Sequence, residues 1–419
     1  MRGILVFVGV AVAAFCADAT LEIIKNVGSN LNVLVEYKNK YPSDMEKKLK
    51  KAIEADLKTA GFYNIVAAPA AANSSLGMDS PAYANAGVNH LIRFEYFREG
   101  NQAGLRAQAY DVKNKRVIFS PSYTVSRDDR YIFLAHHFVK DLADKVGVGG
   151  LGWMSKYVIL SKHTGAKRTE IMIADYTLTF RQTIVKGGFN VFPKWANNEQ
   201  SAYYYTSYQK KPTLYRVDLY SGKREKIIES EGMLVCSDVS PDGKKLLLTM
   251  APDDQPDIFE LDLTTKKYRR LTRHRGIDVN GHYLDDGQSF VFVSDRFGYP
   301  EIFYARLNAP DSAVQFIFKG RNNNYVDTYR HYAAFVSRET DSEFSDNTFN
   351  LYLVSTKSDY IRQLTTTGKN SFPRFSSSGD TILYIKEMRR ESALGIIRLS
   401  YNKSFLFPLS SGSIQAVDW

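Results

Sequence analysis

The residue types that could carry chemistry in this chain are few. His136 and His137 adjoin, and His274 and His282 lie near Asp285 and Asp286, a donor set that suits a divalent metal. Asp253, Asp254 and Asp257 follow Pro252 and offer carboxylates to calcium. Ser207 and Lys210 have the spacing of a serine nucleophile served by a lysine. Tyr203, Tyr204, Tyr205 and Tyr208 could stack a sugar, and Cys236 is a thiol. Each set has a plainer structural account. Adjacent histidines on a helix point about 100° apart and cannot grip one ion from one face. The His274–Asp286 set falls where turn residues recur, and the Asp253–Asp257 set lacks the spacing of a dedicated calcium loop. Cys236 has no neighbouring base and belongs to a strand, so it reads as an inert buried thiol. The tyrosines read as sheet packing. The expectation is no catalytic residue, no metal and no cofactor.

A repeat positions these residues. Ser240-Pro241-Asp242-Gly243 is followed by the apolar run Leu246–Thr249, a loop at Pro252–Pro256, a strand Asp257–Leu263 and Leu271-Thr272. The next copy reads Leu284-Asp285-Asp286-Gly287, Phe290–Ser294, Asp295–Pro300 and Glu301–Tyr304. Pro presets φ for such a turn, and Gly takes its left-handed position. The large residue before each turn recurs as Trp195, Val239, Tyr283, Tyr329, Phe375 and Trp419, at intervals of 44, 44, 46, 46 and 44. Short strands at this period predict propeller blades. Lys156–Ser161 lacks a preceding strand, and Ile414–Trp419 lacks a following blade. Joining them predicts a six-bladed β-propeller closed by the C-terminal strand.

The chain before the repeats has a different pattern. Arg2, the apolar run Ile4–Phe15 and Ala17-Asp18-Ala19 fit a signal peptide over residues 1–19. Cleavage there would leave Cys236 as the sole thiol and exclude an internal disulfide. Residues 20–150 read as an α/β domain, giving an α+β multidomain chain with the propeller over 151–419. Its expected parts are a strand at Leu31–Tyr37, a helix from the cap Ser43 to Ala60 stopped by Gly61, and a short strand at Phe62–Ala67. A three-stranded meander follows (Leu91–Phe97, Leu105–Tyr110, Arg116–Val125), then a helix over Tyr131–Val146. The glycines at 147, 149, 150 and 152 mark the boundary. The net charge is +10, which favours anionic surfaces, but no run of five basic residues supports nucleic-acid binding.

Taken together, the leader, the small α/β domain, Val293-Ser294-Asp295-Arg296, Arg270-Leu271-Thr272 and the ending Pro408–Trp419 resemble the TolB family, periplasmic propeller proteins of the Tol–Pal envelope system. The resemblance covers essentially the whole chain. It implies a non-catalytic scaffold that binds the lipoprotein Pal at the propeller mouth and TolA through its N-terminal segment, serving outer-membrane integrity and cell division. The expected localisation is the periplasm, as a monomer held at the outer membrane through partners. The family pattern Asp-Thr-x-Pro-x-Trp maps the mouth onto Asn190, Val191, Met233, Val235, Cys236, Asp278, Val279, Asn324, Tyr325, Asn370 and Ser371. Only Asp278 keeps the acid, and Val279 replaces the hydroxyl. The N-terminal interaction segment maps onto Leu21, Glu22, Ile23, Ile24, Lys25 and Asn26, which from the residues alone reads rather as an ordinary first strand of the α/β domain.

Two other classes remain open at this level. A propeller-based peptidase or esterase would need a hydrolase domain, and no Gly-x-Ser-x-Gly elbow occurs in the sequence. An envelope carbohydrate binder is compatible with the aromatic content of 13%.

Overall fold

The computed structural model describes residues 30–68, 76–343, 346–389 and 391–419. The expected signal peptide and the segment Leu21–Asn26 lie outside the described residues. The first sheet has the order β2-β1-β3-β4-β5, with β6 also on β4. Its members are β1 (Leu31–Tyr37), β2 (Tyr63–Ile65), β3 (His90–Glu99), β4 (Gln102–Asp111), β5 (Arg116–Phe119) and β6 (Ser122–Val125). β1 runs parallel to β2 and β3, and β4 antiparallel to β3. Helix α1 (Asp44–Ala60) connects β1 to β2, the five-residue α2 (Pro81–Asn85) precedes β3, and α3 (Tyr131–Lys145) follows β6.

Local chemistry accounts for these limits. Ser43 caps α1 in a full capping box with Glu46, and Gly61 ends it at φ 97°. Leu49, Ile53 and Leu57 of α1 are buried in one core with Leu134, Phe138 and Leu142 of α3. The expected single strand Arg116–Val125 is instead two, β5 and β6, both paired to β4. The break falls at Ser120-Pro121, where proline has no N–H to donate to a ladder. The composition gave no warning of α2, which starts with Pro81 in its first turn behind the cap Ser80.

The described residues from β7 (Val158–Gly165) onward form six four-stranded blades. A single parallel pairing, Phe349 with Lys369, links the fifth and sixth. The inner strands are Ile414–Asp418, Asn190–Trp195, Leu234–Val239, Asp278–Tyr283, Arg321–Tyr329 and Lys369–Phe375, of the first to sixth blades. Five therefore end on the residues that set the sequence register, and the sixth ends one residue before Trp419. Ile414–Asp418 pairs antiparallel with Val158–Gly165, matching Val417 to Leu160 and Asp418 to Ile159. The last strand thus supplies the inner strand of the first blade and closes the ring, which removes open sheet edges.

The α/β sheet and the propeller share a continuous apolar core. Phe133 and Phe138 lie in it with Trp153, Tyr176, Phe180 and Val417. At its centre the fully buried His136 ring lies 2.7 Å from Asp56 Oδ2 of α1 and 3.3 Å from Asp175 Oδ2 of the first blade. Tyr176 donates its hydroxyl to the other Asp56 oxygen. Burial works against charge on His136, but the two carboxylates outweigh it and raise its pKa to about 9. The glycine boundary is pinned as well: the Gly150 carbonyl accepts from Ser378, and a Cβ there would meet Asp380.

Candidate functional site at the propeller mouth

The inner strands all carry a register shift. A bulge bends a strand and re-aims a side chain. Here four bulges place a non-glycine residue in the left-handed region at the channel mouth: Phe192 at φ 51°, Asn280 at 55°, Tyr325 at 50° and Phe372 at 51°, while Asn322 at 61° sits in a further bulge of the fifth blade's inner strand and stays off the cavity wall. Such a conformation costs roughly 1–2 kcal/mol for each of the three aromatic residues and less for Asn280, and strain of this kind gathers where a fold presents side chains to a ligand. All four line one cavity of about 750 Å³ at the end where the chain enters the inner strands. Tyr325 and Phe372 touch, with ring centroids 4.5 Å apart. Tyr325 is 37% exposed. Lys194 and Arg374 also line this cavity.

Of the residues mapped to the mouth, Met233, Val235, Cys236, Val279, Asn324, Tyr325 and Ser371 line the cavity. The other four do not contribute to its lining, and each has a structural task. Asn190 is buried and donates its amide to the Gly187 carbonyl. Asn370 is buried and donates to the carbonyls of Phe349 and Thr367. Asp278 is fully buried, with both carboxylate oxygens 3.2 Å from Arg296 Nη2. Val191 is packed in the blade. A family-derived position thus marks where each inner strand begins, while the bulge a few residues later decides what faces the channel. The sequence reading missed Phe192, Asn280, Phe372, Lys194 and Arg374. The signal was present in the matching runs Phe192-Pro193-Lys194-Trp195 and Phe372-Pro373-Arg374-Phe375.

Among the described residues no group of three or more His, Cys, Asp or Glu is arranged to hold a metal ion. His282 lies between Asp238 and Asp327, apart from Asp285 and Asp286 in this role. The Asp257 carboxylate is engaged by Arg270 and Thr272. Tyr203, Tyr204 and Tyr205 are buried in their blade. Cys236 is buried, and burial pushes its thiol well above the ordinary range, so little thiolate is available.

Comparison with known proteins agrees with this architecture. A family model described as the TolB beta propeller domain matches residues 153–419. The Tol-Pal system protein TolB of Wolinella succinogenes is 46% identical over 99% of this chain and all of its own length. The protein of that name from Helicobacter pylori strain HPAG1 is 37% identical over the full length of both chains. In fold, the crystal structure of TolB from Acinetobacter baumannii matches with a TM-score of 0.77 at 23% identity, covering 93% of this chain and 97% of that one. Full-length likeness in sequence, together with the small α/β domain and the strand-closed propeller, leaves one assignment: the chain belongs to the TolB family of Tol–Pal system proteins.

Proposed function

We propose that this protein is a non-catalytic periplasmic scaffold of the Tol–Pal complex. Its propeller mouth receives the lipoprotein Pal, and its N-terminal segment, Leu21–Asn26, reaches TolA. Through these contacts it maintains the outer membrane and supports constriction at division. The observation that carries the reading is the convergence of Phe192, Asn280, Tyr325 and Phe372, all in left-handed backbone, on one cavity. Rigid aromatic anchors in a concave site with polar surroundings are what a protein knob requires. Among the described residues no helix is long and apolar enough to cross a membrane, which accords with attachment through partners. The raised Cys236 thiol makes a poor nucleophile and lends nothing to a hydrolase reading.

Deleting the gene in its own bacterium tests the proposal. Loss of the scaffold is expected to release periplasmic protein and delay outer-membrane constriction, with the intact gene restoring both. A deletion strain with normal retention and normal constriction would contradict it.

A further inference from the structure

The floor of the mouth is built from a pattern that runs through all six blades. Near its end, each inner strand presents one charged or basic side chain to the axis: Asp418, Lys194, Asp238, His282, Asp327 and Arg374, in order around the ring. Acidic and basic members alternate without exception. Lys194 Nζ is 3.2 Å from Asp418 and 3.5 Å from Asp238. His282 Nδ1 is 3.6 Å from Asp238 and 3.4 Å from Asp327. Arg374 is 3.6 Å from Asp327 and 3.5 Å from Asp418. The circuit is closed, and none of its side chains is more than 17% exposed.

The backbone repeats the same threefold pattern. Each aspartate also accepts, on Oδ2, an amide from the following blade: Asp418 from Trp195 at 2.9 Å, Asp238 from Tyr283 at 3.0 Å, and Asp327 from Phe375 at 2.7 Å. Each donor directly follows a basic member of the circuit in sequence. One carboxylate therefore holds a basic side chain from each neighbouring blade and a main-chain amide of the next. Lys194 and Arg374 form a wall common to the mouth cavity and to a second cavity of about 570 Å³ on the Pro-Asp-Gly side, which the three aspartates also line.

We propose that these six side chains act as one cooperative clamp, which fastens the six blades to one another around the axis and makes the closure seam at Asp418 equivalent to the other blade junctions. A charge removed from water is tolerated only when paired, so losing any member leaves its two neighbours each short of a partner. Removing one aspartate unsettles two basic groups, and through them the remaining two aspartates. The damage then spreads round the axis. Six independent contacts would confine it to one junction.

The test is hydrogen exchange on the full chain, resolved at the amides of Trp195, Tyr283 and Phe375, with Asp238→Asn. A clamp acting as a unit predicts at least tenfold faster exchange at all three amides, although only Tyr283 donates to Asp238. Acceleration at Tyr283 alone, with Trp195 and Phe375 as in the unaltered protein, would overturn the proposal. Should Asp238→Asn fail to fold, His282→Gln serves, since it retains all three aspartates. Faster exchange at Trp195, remote from His282, then supports the clamp, and an unchanged Trp195 contradicts it.

Discussion

Lys194 Nζ lies 3.2 Å from Asp418 Oδ1, joining the second blade to the penultimate residue of the chain. Burial works against charge on Lys194, but Asp418 and Asp238 outweigh it and hold the ammonium pKa above its ordinary value. Asp418 also accepts the Trp195 amide. Replacing Asp418 with Ala leaves a buried cation and a buried amide short of an acceptor, with an expected loss of about 3–5 kcal/mol. Urea unfolding measures it. Removing Ile414–Trp419 altogether deprives the first blade of its inner strand and is expected to cost more. Thermal unfolding unchanged by that truncation would contradict closure by the last strand.

His136 gives stability a pH dependence at the alkaline end. Its pKa is raised to about 9 in the folded protein, against roughly 6.5 unfolded. A raised pKa means the contribution is complete below about pH 6.5 and is lost as pH rises through about 9. The shift corresponds to something on the order of 3 kcal/mol. Unfolding free energy is expected to fall between pH 7 and 9.5. Asp175→Asn, which removes one of the two flanking carboxylates, should flatten that slope. An equal slope in the variant would assign the effect to other groups.

Asp278 separates structure from recognition. It is the acid that the family pattern retains, yet its carboxylate is spent on Arg296. Asp278→Ala is expected to lower stability by about 3 kcal/mol, because the largely buried Arg296 guanidinium loses its carboxylate and keeps only Ser294 and two aromatic faces. Partner affinity, measured where the variant is folded, should stay within about twofold. A large affinity loss in a fully folded variant would return Asp278 to the site.

The cap of α1 permits a smaller test. Ser43→Ala removes the acceptor for the Glu46 amide, at an expected cost of about 1 kcal/mol. Thermal unfolding that does not shift would indicate that packing with α3 alone fixes the helix start.

Much of the fold was legible because its signals are periodic and local. The residues before each turn, from Trp195 to Phe375, end their inner strands as the register predicts. Ser43 and Gly61 bound a helix by side-chain and backbone chemistry that any reader can find. The candidate site was legible only in part. A bulge shifts which residue faces the axis, so counting along Asn370-Ser371 found Ser371 and passed over Phe372. The axial circuit stayed hidden for another reason: each member is an ordinary acidic or basic residue, five of the six directly before an aromatic or apolar one, and its partner lies about 44 or more residues away. The contact between Asp56 and His136 is likewise long-range and leaves no mark on either helix alone.

The most direct test is calorimetric titration of residues 20–419 with the soluble domain of Pal from the same bacterium, repeated with Tyr325→Ala and Phe372→Ala. The account predicts binding by the unaltered chain and weakening of about 30-fold or more in each variant, as for an anchor worth roughly 2 kcal/mol. Binding that both variants retain in full would move the site away from the mouth, and no binding at all would contradict the proposed role.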